Sequence, residues 1–417
     1  MSDWTTELVG QVLPFKYGKT LPERERTHTG EYQVVSSAGI IDTHRLPLTN
    51  KPTIVIGRKG SIGTVYYCPS PVFPIDTTFY VEESEKIDIR FAYYLLKHLP
   101  LGVMNNDSAV PGLNRTQAEN IKVSLPPLPE QRGIAATLGA LDDKIESNRR
   151  ISQTLEQLAI TLFKSWFVDF DPVWAKVENR VTYIPHNIAE LFSDTFEESD
   201  FGEIPSGWVV RNLDAMLSAL VSGSRPTGGA IDEGVPSVGA ENIISIGRYD
   251  YSKEKFIPLE HYERLKLRGA NITGGDVLLY KDGAYIGKKT YFDLGFPHDE
   301  CAVNEHVFIL RCQQPSYQRY LYFWLDQPEL TERLKSLNSN SAQPGINKVG
   351  VKGLPILDPG YELVCVFDLL CKPITDMICK LALENKTLSS LRDTLLPELL
   401  SGRIRVPEAK EAVEEVL

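Results

Sequence analysis

The sequence has no metal-ligand spacing and no cysteine pairing pattern. Its six cysteines, Cys68, Cys301, Cys312, Cys365, Cys371 and Cys379, form no CxxC. Such a set reads as reduced, buried thiols of a cytoplasmic protein, not as a disulfide framework or a zinc site. None of the seven histidines sits in HExxH, and no GxGxxG follows a strand-like run. No apolar stretch approaches the roughly 18 residues of a membrane span. The opening MSDWTTELVGQVLPF lacks the basic region and apolar core of a signal peptide, so no membrane association is expected. A positive surplus is missing too. The net charge of −11 excludes an ordinary basic-patch protein, and any DNA contact must come from local clusters of Lys and Arg. The negative excess is uneven: residues 1–125 hold 13 basic and 13 acidic side chains, whereas residues 171–200 and the tail after Pro407 are acidic.

Two motifs imitate catalysis and fail on detail. Gly283 to Thr290, GAYIGKKT, resembles a phosphate loop. It has three residues between its glycines where four are required, and Lys289 stands where Ser or Thr would ligand Mg²⁺. Its place between two strand-like runs predicts a hairpin or tight loop. Glu384-Asn-Lys386 after Asp376 has a nuclease-like look, but it falls on a long helical stretch, where a solvated face explains it. No catalytic constellation emerges, and no catalytic or metal-binding residue is assigned.

What is present is a long helix. After Pro126, Pro127 and Pro129, apolar residues recur at Ile134, Leu138, Leu141, Ile145, Ile151, Leu155, Leu158, Leu162 and Trp166. The steps are mostly three and four, which defines one helical face. About 35 helical residues span roughly 50 Å, so this element is a strut. Phe163, Trp166 and Phe167 crowd one end, either for partner docking or for packing on a second helix.

The chain then repeats itself. GRKGSIGTVYY (57–67) answers KDGAYIGKKTYF (281–292), and SAVPGLN at Ser108 answers SAQPGIN at Ser341, an offset of 233 residues. A second helical stretch, about Leu363 to Leu400, answers the first, and Asn148 maps onto Asn385 with an offset of 237. Pro373 lies inside it, so its first turns are expected to be kinked or separate. A period above 200 residues indicates tandem duplication of a globular domain plus a long helix. The expected fold is α+β: two tandem globular α/β domains joined by two long antiparallel helices, a pseudo-twofold duplicated architecture. Asn148 and Asn385 interrupt both apolar stripes. They either face each other and fix the helix register or sit at the stripe edge facing solvent.

With catalysis unsupported, recognition remains. Copy one carries Lys16, Lys19, Arg24, Arg26, Arg58, Lys59, Asn114 and Arg115 in polar loops beside aromatics. Copy two carries Arg225, Thr227, Asn242, Lys281, Lys288, Lys289, Asn340, Gln343 and Lys348. Arg and Lys suit phosphates and guanine, and Asn and Gln suit adenine. Solvated loop chemistry explains any one of these residues as well; their recurrence in both copies is what argues for DNA contact. Because the loops differ between copies, two different half-sites are expected.

LPPLPEQRGIAATLGALDDKIESNRRISQTLEQLAITLFKSWFVDFDPV resembles the central conserved region of type I restriction–modification specificity subunits. LRDTLLPELLSGRIRV (391–406) resembles their C-terminal conserved region, and the globular parts, with GSIG, DSAVPGLN and NSAQPGIN, resemble their target recognition domains. The resemblance implies a first recognition domain at 1–125, a long helix at 126–170, a linker at 171–200, a second recognition domain at 201–357, a second helix at 358–404 and an acidic tail at 405–417. It implies a noncatalytic DNA-reading subunit with double-stranded DNA, two methyltransferase subunits and restriction/translocase subunits as partners. No cofactor is expected on this chain; S-adenosylmethionine, ATP and Mg²⁺ belong to the partners. The competing readings are a self-contained DNA methyltransferase or nuclease, and a scaffold that does not read DNA.

Overall fold

The computed structural model describes residues 3–104, 112–182, 184–199, 201–337 and 345–416. The chain forms two compact units. Unit 1 comprises Met1–Glu146 with Thr387–Leu417, and unit 2 comprises Ser147–Lys386.

Unit 1 is built on a four-stranded antiparallel sheet in the order Lys16–Tyr17, Thr78–Glu82, Thr53–Gly57, Val65–Cys68. Its central strand, TIVIG, is buried at every position, as a strand covered on both faces must be. A three-stranded sheet follows the order Gly39–His44, Tyr32–Ser36, Phe73–Pro74, with the last pair parallel. The first strand, Thr5–Leu8, pairs with Lys122–Leu125. The helix Ile89–His98 starts at Asp88, whose carboxylate accepts from the amides of Arg90 and Phe91, satisfying two otherwise orphaned donors. It buries Phe91, Tyr94 and Leu95.

The first long helix runs from Leu128 to Phe167 and the second from Tyr361 to Ser401, the latter unbroken through Pro373. The expected kink is absent as a break. Pro373 follows exposed Leu369 and Leu370, so water is within reach of the carbonyl left without a donor. Within unit 1, Ile134, Leu138, Leu141 and Ile145 share one core with Leu388, Leu395 and Leu399 and with Phe91 and Tyr94. Within unit 2, Phe163, Trp166 and Phe167 share a core with Leu363, Phe367 and Ile378. In unit 2 Asn148 meets Asn385 and Phe163 meets Phe367, so residues advancing along one long helix meet residues receding along the other and the pairing there is antiparallel.

Unit 2 repeats the topology of unit 1. Its four-stranded sheet has the order Leu217–Ser222, Val307–Cys312, Asp276–Tyr280, Lys289–Phe292, all antiparallel. Its three-stranded sheet, Phe256–Ile257, Val235–Val238, Ala302–Val303, again has one parallel pair. Val209–Asn212 pairs with Pro355–Asp358. The helix Tyr317–Leu325 occupies the place of Ile89–His98 in the chain order and is buried at every residue.

The segment expected as a linker and the segment expected as an acidic tail both contain folded elements. Residues 171–200 begin with the helix Asp171–Val177, and Phe196–Ser199 pairs with Gly202–Pro205. Val173, Phe192 and Ile204 anchor the segment in the unit 2 core. The expected acidic tail contains the helix Val406–Glu414, which buries Ala409 and Val413 in the unit 1 core. Arg405 pairs with Glu130 at 3.3 Å, and Glu130 also accepts from the Trp4 indole at 3.0 Å.

Candidate nucleic-acid interface

Both units place two loops side by side with the same backbone bond. In unit 1 the hairpin loop after Thr53–Gly57 receives the Leu113 amide on the Arg58 carbonyl at 2.9 Å. In unit 2 the loop after Asp276–Tyr280 receives the Ile346 amide on the Lys281 carbonyl at 2.7 Å. Leu113 and Ile346 are followed in each case by an asparagine that caps a short helix. Asn114 accepts from the Gln117 amide at 3.0 Å, and Asn347 from the Gly350 amide at 2.8 Å. The hairpin loop is tight. Gly63 has φ +73°, and a Cβ there would lie 2.3 Å from the Gly102 nitrogen, so glycine is the residue that fits. The GAYIGKKT segment lies between antiparallel strands, a hairpin as expected and not the strand–loop–helix of a nucleotide site.

Unit 1 gathers cations around an exposed aromatic ring. Tyr17 is 52 % exposed. The Arg58 guanidinium lies 5.3 Å from its ring centroid and the Arg115 guanidinium 5.7 Å. Arg58 also donates to the Asp76 carbonyl at 2.8 Å, while its buried Nε has no partner among the described residues. Arg115 pairs with Glu119 at 3.0 Å, and Glu119 accepts from the Phe15 amide. A planar guanidinium beside an aromatic face presents both a fork for base edges and a charge for phosphate. Lys59 is exposed on the same loop. The Lys16 ammonium donates to the Glu82 carboxylate, and that hydrogen bond raises its pKa above the ordinary lysine value. Arg26 packs toward Asp42 at 3.8 Å, Arg24 is exposed beside Glu25, and Lys19 donates its amide to the Pro74 carbonyl. The structure therefore groups Arg58, Lys59, Asn114 and Arg115, with Arg24 and Arg26 on a different loop.

Unit 2 carries mixed charge at the equivalent place. Lys281 lies over Phe308 at 5.0 Å, and Lys288 lies over the exposed ring of Tyr285 at 5.2 Å while donating to the Ala240 carbonyl at 2.8 Å. Burial depresses the Lys288 ammonium below its ordinary range. Three carboxylates join them: Asp282 on His306 at 2.8 Å, Glu305 on Arg225 at 3.0 Å, and Glu241 on Lys255 at 2.7 Å. Thr227 and Lys348 are exposed. Two expected contact residues face inward instead. Lys289, 8 % exposed, meets Thr331 at 2.8 Å and Asp326 at 3.4 Å. Asn242, 1 % exposed, ties the Gly239 amide to the Asp250 carbonyl. Asn340 and Gln343 lie outside the described residues.

Sequence reasoning missed Tyr17 and the acidic partners Asp282, Glu305 and Glu241. The signal for Tyr17 was its place between Lys16 and Lys19. The carboxylates carry no DNA signal in the sequence because their charge repels phosphate, although a carboxylate can accept from the cytosine amino group. Phe163, Trp166 and Phe167 are 0 %, 3 % and 1 % exposed. Their rings pack with Phe367 at centroid distances of 5.6, 6.4 and 5.2 Å. The apolar excess at this end of the helix therefore fills the unit 2 core and leaves no docking face there.

Each copy of the duplicated mixed α/β unit ends in a long helix and carries a two-loop edge of cations and aromatics, side chains of the types that suit nucleic acid. Residues 1–157 match the family model described as the type I restriction modification DNA specificity domain. The chain is 26 % identical over 334 residues to the type I restriction enzyme HindI specificity subunit of Haemophilus influenzae, covering 70 % of this chain and 71 % of that one. It is 24 % identical over 413 residues to the MjaIX specificity subunit of Methanocaldococcus jannaschii, covering 96 % and 89 %. Its fold matches the crystal structure of a type I restriction–modification system S subunit from M. genitalium, with a TM-score of 0.60, 17 % identity, and 95 % and 96 % coverage. Residues 1–157 thus carry the likeness to that specificity domain, and over most of its length the chain is similar to specificity subunits of type I restriction–modification systems.

Proposed function

We propose that each unit reads one half of an asymmetric, bipartite duplex target, and that the two long helices set the spacer between the halves. One observation carries this reading. The two units share a topology and the same loop-to-loop backbone bond, yet present different side chains: Arg58 and Arg115 around Tyr17 in unit 1, and Lys281 and Lys288 with Asp282, Glu305 and Glu241 in unit 2. Identical scaffolds with different edges suit two different base sequences.

The chemistry belongs to the partners in this reading. Two methyltransferase subunits bind S-adenosylmethionine and turn the target adenine out of the duplex, and restriction subunits with ATP and Mg²⁺ join for cleavage. The complex acts on DNA in the cytoplasm. Partner docking moves from the buried aromatic cluster to exposed apolar side chains on the helices. Ile151 and Leu158, and likewise Leu370 and Met377, stand seven residues apart, two turns along one stripe.

Genome-wide mapping of methylated adenine with and without this gene tests the reading. Loss of one bipartite motif on deletion is the expected result. Methylation or cleavage of DNA by the purified chain alone, given Mg²⁺ and S-adenosylmethionine, would overturn it in favour of a self-contained enzyme.

A further inference from the structure

The Arg319 side chain projects from the helix Tyr317–Leu325 of unit 2 and is almost fully buried, with 7 % of its side chain exposed. Its three guanidinium nitrogens engage separate partners. Nε donates to the Thr375 hydroxyl at 2.8 Å, Nη1 to Asp368 at 2.8 Å and Nη2 to Asp293 at 3.1 Å. Asp376 stands 3.4 Å from Nη2 and also takes Lys372 at 2.8 Å. Asp368, Thr375 and Asp376 lie on the second long helix; Asp293 follows a strand of the globular part. The planar fork is thus gripped on one side by two turns of the long helix and on the other by the recognition fold.

Unit 1 has the same device made from other residues. Arg90, on the helix Ile89–His98, donates to Asp143 at 3.0 Å and to the Gly139 carbonyl at 3.0 Å, both on the first long helix. Gly139 is helical, where glycine is otherwise disfavoured. A Cβ at that position would lie 2.6 Å from the Arg90 guanidinium carbon. The glycine is explained as the seat for the fork.

We propose that Arg319, and Arg90 in unit 1, are positioning residues that set the angle at which each recognition fold sits on its long helix, and so set the permitted spacer length. Apolar packing around Phe163, Phe323 and Phe367 holds the fold to the helix, but such packing is non-directional. A guanidinium fork with fixed bond directions is directional. A recognition fold has a radius of about 15–20 Å. A tilt of about 10° therefore moves its rim by about 3 Å, close to the roughly 3.4 Å of one base-pair step.

The inference rests on the bipartite-reader function. Its test is adenine methylome mapping in cells carrying the full methyltransferase complex with Arg319→Lys or Gly139→Ala. Lysine keeps the charge and loses the fork; alanine improves helix propensity and displaces Arg90. Both are expected to leave the half-site sequences unchanged and to methylate sites with a spacer one base pair shorter or longer at least tenfold above the unsubstituted complex. Where Arg319→Lys does not accumulate, Thr375→Val removes one acceptor without changing charge and is expected to do the same, while Thr375→Ser keeps the original spacing. Variants that methylate only the original spacing overturn the inference alone. An unsubstituted complex that methylates no bipartite motif overturns the function and the inference together.

Discussion

The Asn148 amide donates to the Asn385 amide oxygen at 3.1 Å, both residues lying in unit 2. Asn148 is 1 % exposed and Asn385 half-buried. The two interruptions of the apolar stripes are thus partners. A buried amide pair between helices satisfies itself only at one axial alignment, and a slip of one turn would leave both amides against apolar side chains.

Asn148→Leu is expected to strand the Asn385 amide and to destabilise the protein by about 1–3 kcal/mol. The double change to leucine at both positions removes the stranded group and is expected to recover most of that loss, since replacing both partners of a buried bond is close to neutral. Chemical denaturation of the four proteins in the cycle measures the coupling. Additive effects, with the double variant as weak as the sum of the singles, would show that the pair does not act as a unit.

Arg58 and Lys59 are neighbours on one loop with different expected roles. Arg58 is held by Tyr17, Phe79 and the Asp76 carbonyl; Lys59 is exposed. Lys59→Ala is expected to weaken all DNA about equally and to lower the slope of log affinity against log salt by about 0.9. Arg58→Lys keeps the charge, so the slope should hold, while discrimination at one position of one half-site falls by about 1–3 kcal/mol. Salt titrations of the assembled methyltransferase on cognate and single-mismatch duplexes check both. Unchanged discrimination in Arg58→Lys would place the base contact elsewhere.

Much of this architecture was legible. The mostly three-and-four spacing from Ile134 to Trp166 and its second copy announced the helices, although two members of that stripe, Ile151 and Leu158, stay exposed. The hidden parts have physical reasons. Residues 171–200 read as a linker because they are acidic, yet Val173 and Phe192 anchor them in the unit 2 core. The final helix fully buries two apolar residues, Ala409 and Val413, with Val406 and Val416 half-buried beside them, against an acidic background. Lys288 and Lys289 are indistinguishable by composition, but neighbours at a strand start point opposite ways, and Lys289 turns inward. Asn114 precedes a helical run, which is a capping position; its carboxamide oxygen is used there.

Glu156 offers a pH test within unit 2. Burial, followed by the nearby charge of Asp326, raises its carboxyl above the ordinary value, with Arg248 opposing. For an acid whose folded pKa is raised, the stability it lends is complete below the unfolded value of about 4.3 and is lost as pH rises through the folded value. At pH 7 the native protein therefore carries a penalty that Glu156→Gln removes. The variant is expected to melt higher than the parent at pH 7 and to show no gain near pH 4. Equal gains at both pH values would point to packing as the cause.

The long helices themselves can be lengthened. Gln157 is exposed on the first helix and lies between two contacts with the second, the Asn148–Asn385 amide pair and the Phe163–Phe367 ring contact at 5.6 Å. Four residues inserted after Gln157 add about 6 Å, slightly more than one turn. One contact must then slip, so the single insertion is expected to lower stability and to abolish methylation at the original spacing. A matching insertion after exposed Lys380, which lies between Phe367 and Asn385 on the second helix, restores both contacts. The paired variant is expected to methylate a target whose half-sites are unchanged and whose spacer is longer by about two base pairs, since each step rises about 3.4 Å. Methylome sequencing reads both quantities. A changed half-site sequence would mean that the recognition folds and the helices are not independent modules. An unchanged spacer in an active paired variant would mean that helix length does not set it.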